Sequence, residues 1–117
     1  MNILFIVNDP PYGTERVYNA LRLAGALAKA DNESSVTIFL MADAVLSAKA
    51  GQKTPDGYYN AERMLRRVIA SGGKVLLCGT CMDARGLTQG EMMEGAERST
   101  MDALAAATLS ADKVLVF

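Results

Sequence analysis

Val75-Leu76-Leu77-Cys78-Gly79-Thr80-Cys81-Met82-Asp83-Ala84-Arg85-Gly86 passes from an apolar run into a two-cysteine turn and then into helix-forming residues. The run reads as a strand buried on both faces, the pattern of a parallel sheet flanked by helices. A thiol at the carboxyl end of such a strand, facing a helix start, sits where backbone N–H groups stabilise negative charge. The thiolate is the nucleophilic form of cysteine, so this position favours reactivity. Both cysteines of the 117-residue chain lie in this turn. Any sulfur chemistry is therefore confined to one corner of the molecule.

Working outward, the same alternation recurs. Residues 2–8 form an apolar, β-branched run expected as the first strand, and the prolines and glycine of 9–13 form a turn. Thr14 is placed to cap a helix over 15–30, with Val17, Leu21, Ala24 and Ala28 on one face. A second strand is expected at 35–41 and a helical turn or two over 42–50. Residues 51–57 read as a loop with nothing to anchor a core. A helix over 58–71 ends at Gly72-Gly73, as helix C-termini prefer, and the third strand covers 74–78. Beyond the cysteines come a short helix at 83–87, a methionine-rich loop, a very short strand at 96–99, a helix at 100–110 and a last strand at 112–117. Ser99 and Asp102 have capping-box spacing for that helix.

Strands alternating with helices across short links predict a single α/β domain over residues 1–117, with a mainly parallel sheet and helices on both faces. Sites in such sheets open at the carboxyl ends of the strands. The loop carrying Tyr12, Gly13 and Thr14 follows the first strand and the cysteine turn follows the third. If those strands are neighbours the two loops meet, and the first becomes a wall of the site.

The composition narrows the chemistry. There is no histidine and no tryptophan. That removes Ser-His and Cys-His catalysis within one chain, the commonest metal ligand and the usual proton shuttle near neutral pH. A formal net charge of −1 leaves no electrostatic footprint for nucleic acid. No apolar run reaches membrane-spanning length, so no membrane association is expected. The chain enters its first strand without a basic leader, and the reading is a cytoplasmic protein with free thiols. Half the residues are apolar, which points to surface buried between subunits.

The whole chain resembles the DsrE/TusD-like group of sulfur-relay proteins. Three stretches carry the resemblance: Pro11-Tyr12-Gly13-Thr14 after the first strand; Cys78 closing the middle strand, with Ala84-Arg85-Gly86-Leu87 beyond; and Ser99-Thr100-Met101-Asp102 through Ala111-Asp112-Lys113-Val114-Leu115-Val116-Phe117. The resemblance implies a three-layer α/β/α fold with a five-stranded sheet, the fifth strand being the short one near Ala96. It implies homotrimers or homohexamers. It further implies a persulfide carried on Cys78, received from a donor protein and passed to an acceptor protein, with no cofactor. Cys81 departs from the group's pattern.

Each candidate has a plainer reading beside it. Cys78 is either the sulfur-bearing catalytic residue or a buried packing residue, since cysteine is among the most buried side chains. Cys81 either resolves a persulfide on Cys78 as a disulfide or is a small apolar residue in a helix. Used together, they would make a dithiol oxidoreductase or a sulfide-releasing enzyme. With both inert, the protein is an oligomeric binding module.

The Cys-Gly-Thr-Cys spacing is similar to a thioredoxin motif, but no proline follows Pro55 and the motif follows the third strand rather than the first. As a zinc site the pair lacks two ligands. The backbone N–H groups of Thr80 to Met82 and the guanidinium of Arg85 are the expected anion-stabilising neighbours, and Gly79, Thr80, Met82 and Arg85 are the expected binding residues around the sulfur. Arg85 could equally pair with a surface carboxylate, and Tyr12-Gly13-Thr14 could be ordinary turn and cap material. Met82, Met92, Met93 and Met101 read as an adaptable contact surface or as irregular core filling.

Overall fold

The computed structural model describes all 117 residues. Its strands are β1 (Asn2–Val7), β2 (Ser35–Leu40), β3 (Lys74–Cys78), β4 (Ala96–Ser99) and β5 (Lys113–Val116). They form one sheet in the order β4-β3-β2-β1-β5, and every pairing is parallel. Its helices are α1 (Arg16–Ala30), α2 (Ala61–Ala70), α3 (Gly79–Ala84) and α4 (Met101–Ser110), with a 3₁₀ segment at Ala42–Ala48.

Right-handed crossovers explain the layers. The moves from β1 to β2 and from β2 to β3 run in one direction and leave α1 and α2 side by side on one face. The jump from β4 back across the sheet to β5 runs the opposite way, so α4 lies on the other face. Alternation along the strands agrees: Val36 meets α1 and α2, whereas Leu4, Thr37 and Leu76 meet α4. Phe5, Val7, Ile38, Leu40, Val75 and Leu77 are almost wholly buried under the two-helix layer. The α4 face is thinner, and Ile6 and Leu76 stay partly exposed on it.

Several elements differ locally from expectation. The Asn60 side chain accepts from Arg63 N–H, so α2 starts at Ala61 rather than near residue 58. Thr100, not Ser99, caps α4 by accepting from Ala103 N–H. Residues 51–57 are not without anchors. Gln52 donates to the carbonyls of Ser47 and Lys49, its N–H donates to Glu62 and its carbonyl accepts from Asn60. A periodicity argument sees only apolar anchors, and this loop is held by a half-buried amide network instead.

The methionines divide. Of the four expected to cluster, Met82, Met92 and Met93 are buried and Met101 is exposed, so three of the four fill core. The short helix begins at Gly79 instead of residue 83, directly on the strand, and this shift shapes the site.

Candidate functional site

Because α3 follows β3 without a linker, Cys78 is at once the last strand residue and the N-cap of the helix. Its sulfur takes the place of the usual capping oxygen: Cys78 Sγ accepts from Cys81 N–H at 3.4 Å. The Thr80 hydroxyl lies 3.4 Å away. Cys78 is 7 % exposed. Burial pushes its thiol up, but hydrogen bonds from the Cys81 and Thr80 side chains and backbones outweigh this and hold it below the ordinary thiol value. The cause is amide and hydroxyl donation to an anion.

Cys81 behaves in the opposite way. Burial, and donation to a Cys78 anion that its own ionisation would face, push its thiol up. The two sulfurs are thus unequal, the Cys78 thiol held down and the Cys81 thiol pushed up. Neither is in a disulfide. Cys81 Sγ also accepts from Ala42 N–H at 3.2 Å. Ala42 has a φ of 49°, a left-handed conformation that costs a non-glycine residue about 1–2 kcal/mol. This turn lets the loop after β2 aim an amide at the second sulfur.

The wall of the site is therefore the loop after β2, not the loop after β1. Strand β2 lies between β1 and β3, so the condition for the first loop to reach the cysteines is not met. Tyr12, Gly13 and Thr14 are exposed and lie elsewhere. The Tyr12 hydroxyl bonds Gln52 and accepts from Ala61 N–H, its ring packs on Tyr59, and Thr14 donates to Asp9. They brace α1 and α2.

Of the other expected site residues, Gly79 and Thr80 adjoin Cys78. Met82 is fully buried beneath α3 as core. Arg85 bonds Asp43 at 2.8 Å and the Cys81 carbonyl at 3.0 Å. It ties α3 to the β2 loop, and its charge bears on Cys81.

Sequence reasoning missed Ala42, Asp43 and Arg98. Arg98, on β4, grips Asp83 of α3 through two 2.8 Å bonds. A Cβ added at Gly79 would lie 2.9 Å from Arg98 Cζ and Nε and 3.0 Å from the Ser99 carbonyl. Strand pairing set all three positions, and nothing in the local sequence signals it. No three of the Cys, Asp and Glu side chains group in a way that could hold a metal ion.

The DsrE/DsrF-like family profile matches residues 1–117. The chain belongs to the DsrE/DsrF-like family. Protein YchN of Escherichia coli K12 is 44 % identical over 115 residues, covering 98 % of this chain and 97 % of its own. The uncharacterized protein MJ0989 of Methanocaldococcus jannaschii is 38 % identical over 117 residues, the full length of both. The crystal structure of E. coli ychN superposes with a TM-score of 0.95 at 43 % identity, covering 100 % of this chain and 99 % of that one. MTH1491 of Methanobacterium thermoautotrophicum superposes with a TM-score of 0.75 at 11 % identity over 96 % of this chain and 95 % of that one, which speaks to the fold alone. The α/β architecture expected from strand and helix alternation is the architecture of this family.

Proposed function

We propose that the protein is a sulfur carrier whose Cys78 accepts sulfane sulfur as a persulfide and hands it to a partner thiol. The observation that carries this reading is a cysteine at a strand end that caps α3 with its sulfur, accepting from Cys81 N–H at 3.4 Å with the Thr80 hydroxyl 3.4 Å away, contacts that hold its thiol below the ordinary value. In the first step the Cys78 thiolate attacks the outer sulfur of a donor persulfide, and the donor's own sulfur leaves as a thiolate. In the second, an acceptor thiolate attacks the outer sulfur on Cys78, and Cys78 leaves as a thiolate. Each step exchanges one S–S bond for another, so no external oxidant or reductant is consumed. The hydrogen bonds that favour the Cys78 thiolate also make it a good leaving group.

Intact mass after incubation with a sulfane donor tests this. Wild type and Cys81→Ser gain a sulfur atom, and Cys78→Ser does not. Retention of the added sulfur by Cys78→Ser sinks the reading.

The closeness of the two sulfurs supports a second reading, a sulfide-releasing dithiol enzyme. Cys81 would attack the inner sulfur of the Cys78 persulfide, expel hydrosulfide and leave a Cys78–Cys81 disulfide for an external dithiol to reduce. Its mark is an internal disulfide after one turnover, with both cysteines required.

The carrier is read as a cytoplasmic homo-oligomer that meets donor and acceptor proteins. Free thiols fit a reducing compartment. The sequence of α4 is apolar nearly all round, yet only Leu104 is buried, and a helix of that character belongs in an interface.

A further inference from the structure

The cation nearest the reactive cysteine in sequence is Arg85, but its guanidinium is committed to Asp43 and to the Cys81 carbonyl. The cation that the fold brings to the Cys78–Gly79 peptide comes from β4. Cys78 pairs with Ser99, so Arg98 stands one residue before the cysteine's own partner. Its guanidinium rests against the bare α-carbon of Gly79, where no Cβ would fit. Gln89 accepts from Arg98 N–H and donates to the Ala96 carbonyl, which fixes that stretch of edge strand. The fork then closes on both oxygens of Asp83, the fifth residue of α3. A two-pronged grip resists rotation of the helix in a way that a single contact does not.

From these contacts we infer that Arg98 is the positioning residue of the sulfur site: its grip on Asp83 holds α3 so that Cys81 N–H and the Thr80 hydroxyl meet Cys78 Sγ. The inference deepens the carrier reading and rests on Cys78 being the reactive sulfur. The groups that touch Cys78 Sγ are the Cys81 N–H and the Thr80 hydroxyl from α3; the Arg98–Asp83 pair lies beyond them, beside Gly79, and Arg85, tied to Asp43 and to the Cys81 carbonyl, lies on the Cys81 side. Electrostatics agree: Asp83 above all, and a Cys78 anion least, hold the Arg98 proton more tightly. Gly79 is explained as well: it is the residue small enough to let the guanidinium lie across the chain.

The experiment is a pH profile of iodoacetamide alkylation, resolved by peptide mass into Cys78 and Cys81, on the full-length chain. In Arg98→Met the Cys78 profile moves to higher pH, and its rate at neutral pH falls about two- to fivefold, the effect expected of a half-exposed charge pair. The limiting rate at high pH stays unchanged. Asp83→Asn, which frees the fork, moves it the same way, and Arg98→Lys, which keeps the charge, recovers part of the loss. Arg85→Met moves the Cys81 profile instead.

A Cys78 profile that does not move in folded Arg98→Met overturns the inference, even if the melting temperature drops. If Arg98→Met fails to fold, an unmoved profile in both Arg98→Lys and Asp83→Asn overturns it equally. Failure of wild type to take up sulfane sulfur would sink the carrier reading and leave the alkylation result standing, so the two can fail separately.

Discussion

At the scale of single residues, chemistry is set by which proton sits on which sulfur. The Cys81 side chain donates to the Cys78 anion. Cys81→Ala therefore raises the Cys78 thiol toward its ordinary value and slows alkylation at neutral pH, whereas Cys81→Ser keeps a donor and much of the reactivity. A peptide-resolved rate profile checks both. The linkage has a definite sign. Cys78 is depressed in the folded chain, so its stabilisation is complete above the unfolded thiol value and is lost as pH falls through the folded one. Cys81 is raised, so its contribution is complete below the unfolded value and is lost as pH rises through the folded one. Gly79→Ala makes a steric demand at the site itself, because the added methyl meets the Ser99 carbonyl as well as the Arg98 guanidinium. A loss of about 1–3 kcal/mol is expected from overpacking, measured by urea unfolding, together with slower alkylation of Cys78.

At the scale of elements, caps and anchors decide boundaries that periodicity leaves loose. Thr100 holds the start of α4, and Thr100→Ala is expected to cost about 1 kcal/mol, read as a drop in thermal midpoint with the Cys78 profile unmoved. Ser99 had the right spacing for a capping box, but its place at the end of β4, paired with Cys78, keeps it in the sheet. The cysteine helix shows the same limit. A strand passing directly into a helix leaves no loop to announce itself, so the residue types predicted the corner at Cys78 correctly and the helix start four residues too late. The loop at 51–57 was misjudged because its anchor, Gln52, is polar. Its four hydrogen bonds to Ser47, Lys49, Asn60 and Glu62 are invisible to a hydropathy pattern.

At the scale of the whole molecule, the uneven covering of the sheet is the feature with consequences. Two helices close one face, while α4 alone covers the other and leaves its own outer side open. Leu109 is 89 % exposed on it, and Val116 is 65 % exposed on the nearby edge strand β5. Under the proposed homo-oligomer, Leu109→Arg is expected to lower the mass seen in light scattering while leaving the far-ultraviolet dichroism intact. An unchanged mass would remove α4 from any subunit contact. On the closed face, Leu65 is fully buried, and Leu65→Ala is expected to cost about 2–5 kcal/mol through lost transfer and cavity formation.

What could be read along the chain was whatever depends on near neighbours. Apolar runs of strand length, helical periodicity and short links dictated a parallel α/β sheet, and the cysteine spacing dictated that both thiols lie at one strand end. Which loop faces that cysteine depends on strand order, and strand order is a property of the assembled sheet. Because β2 lies between β1 and β3, Ala42 took the place expected of Tyr12, Gly13 and Thr14. Because β4 pairs outside β3, Arg98 came to lie against Gly79 from about twenty residues away along the chain. Hydrogen bonding between strands brings together residues that no local pattern relates, and in this protein that pairing, rather than the motif, sets the surroundings of the sulfur.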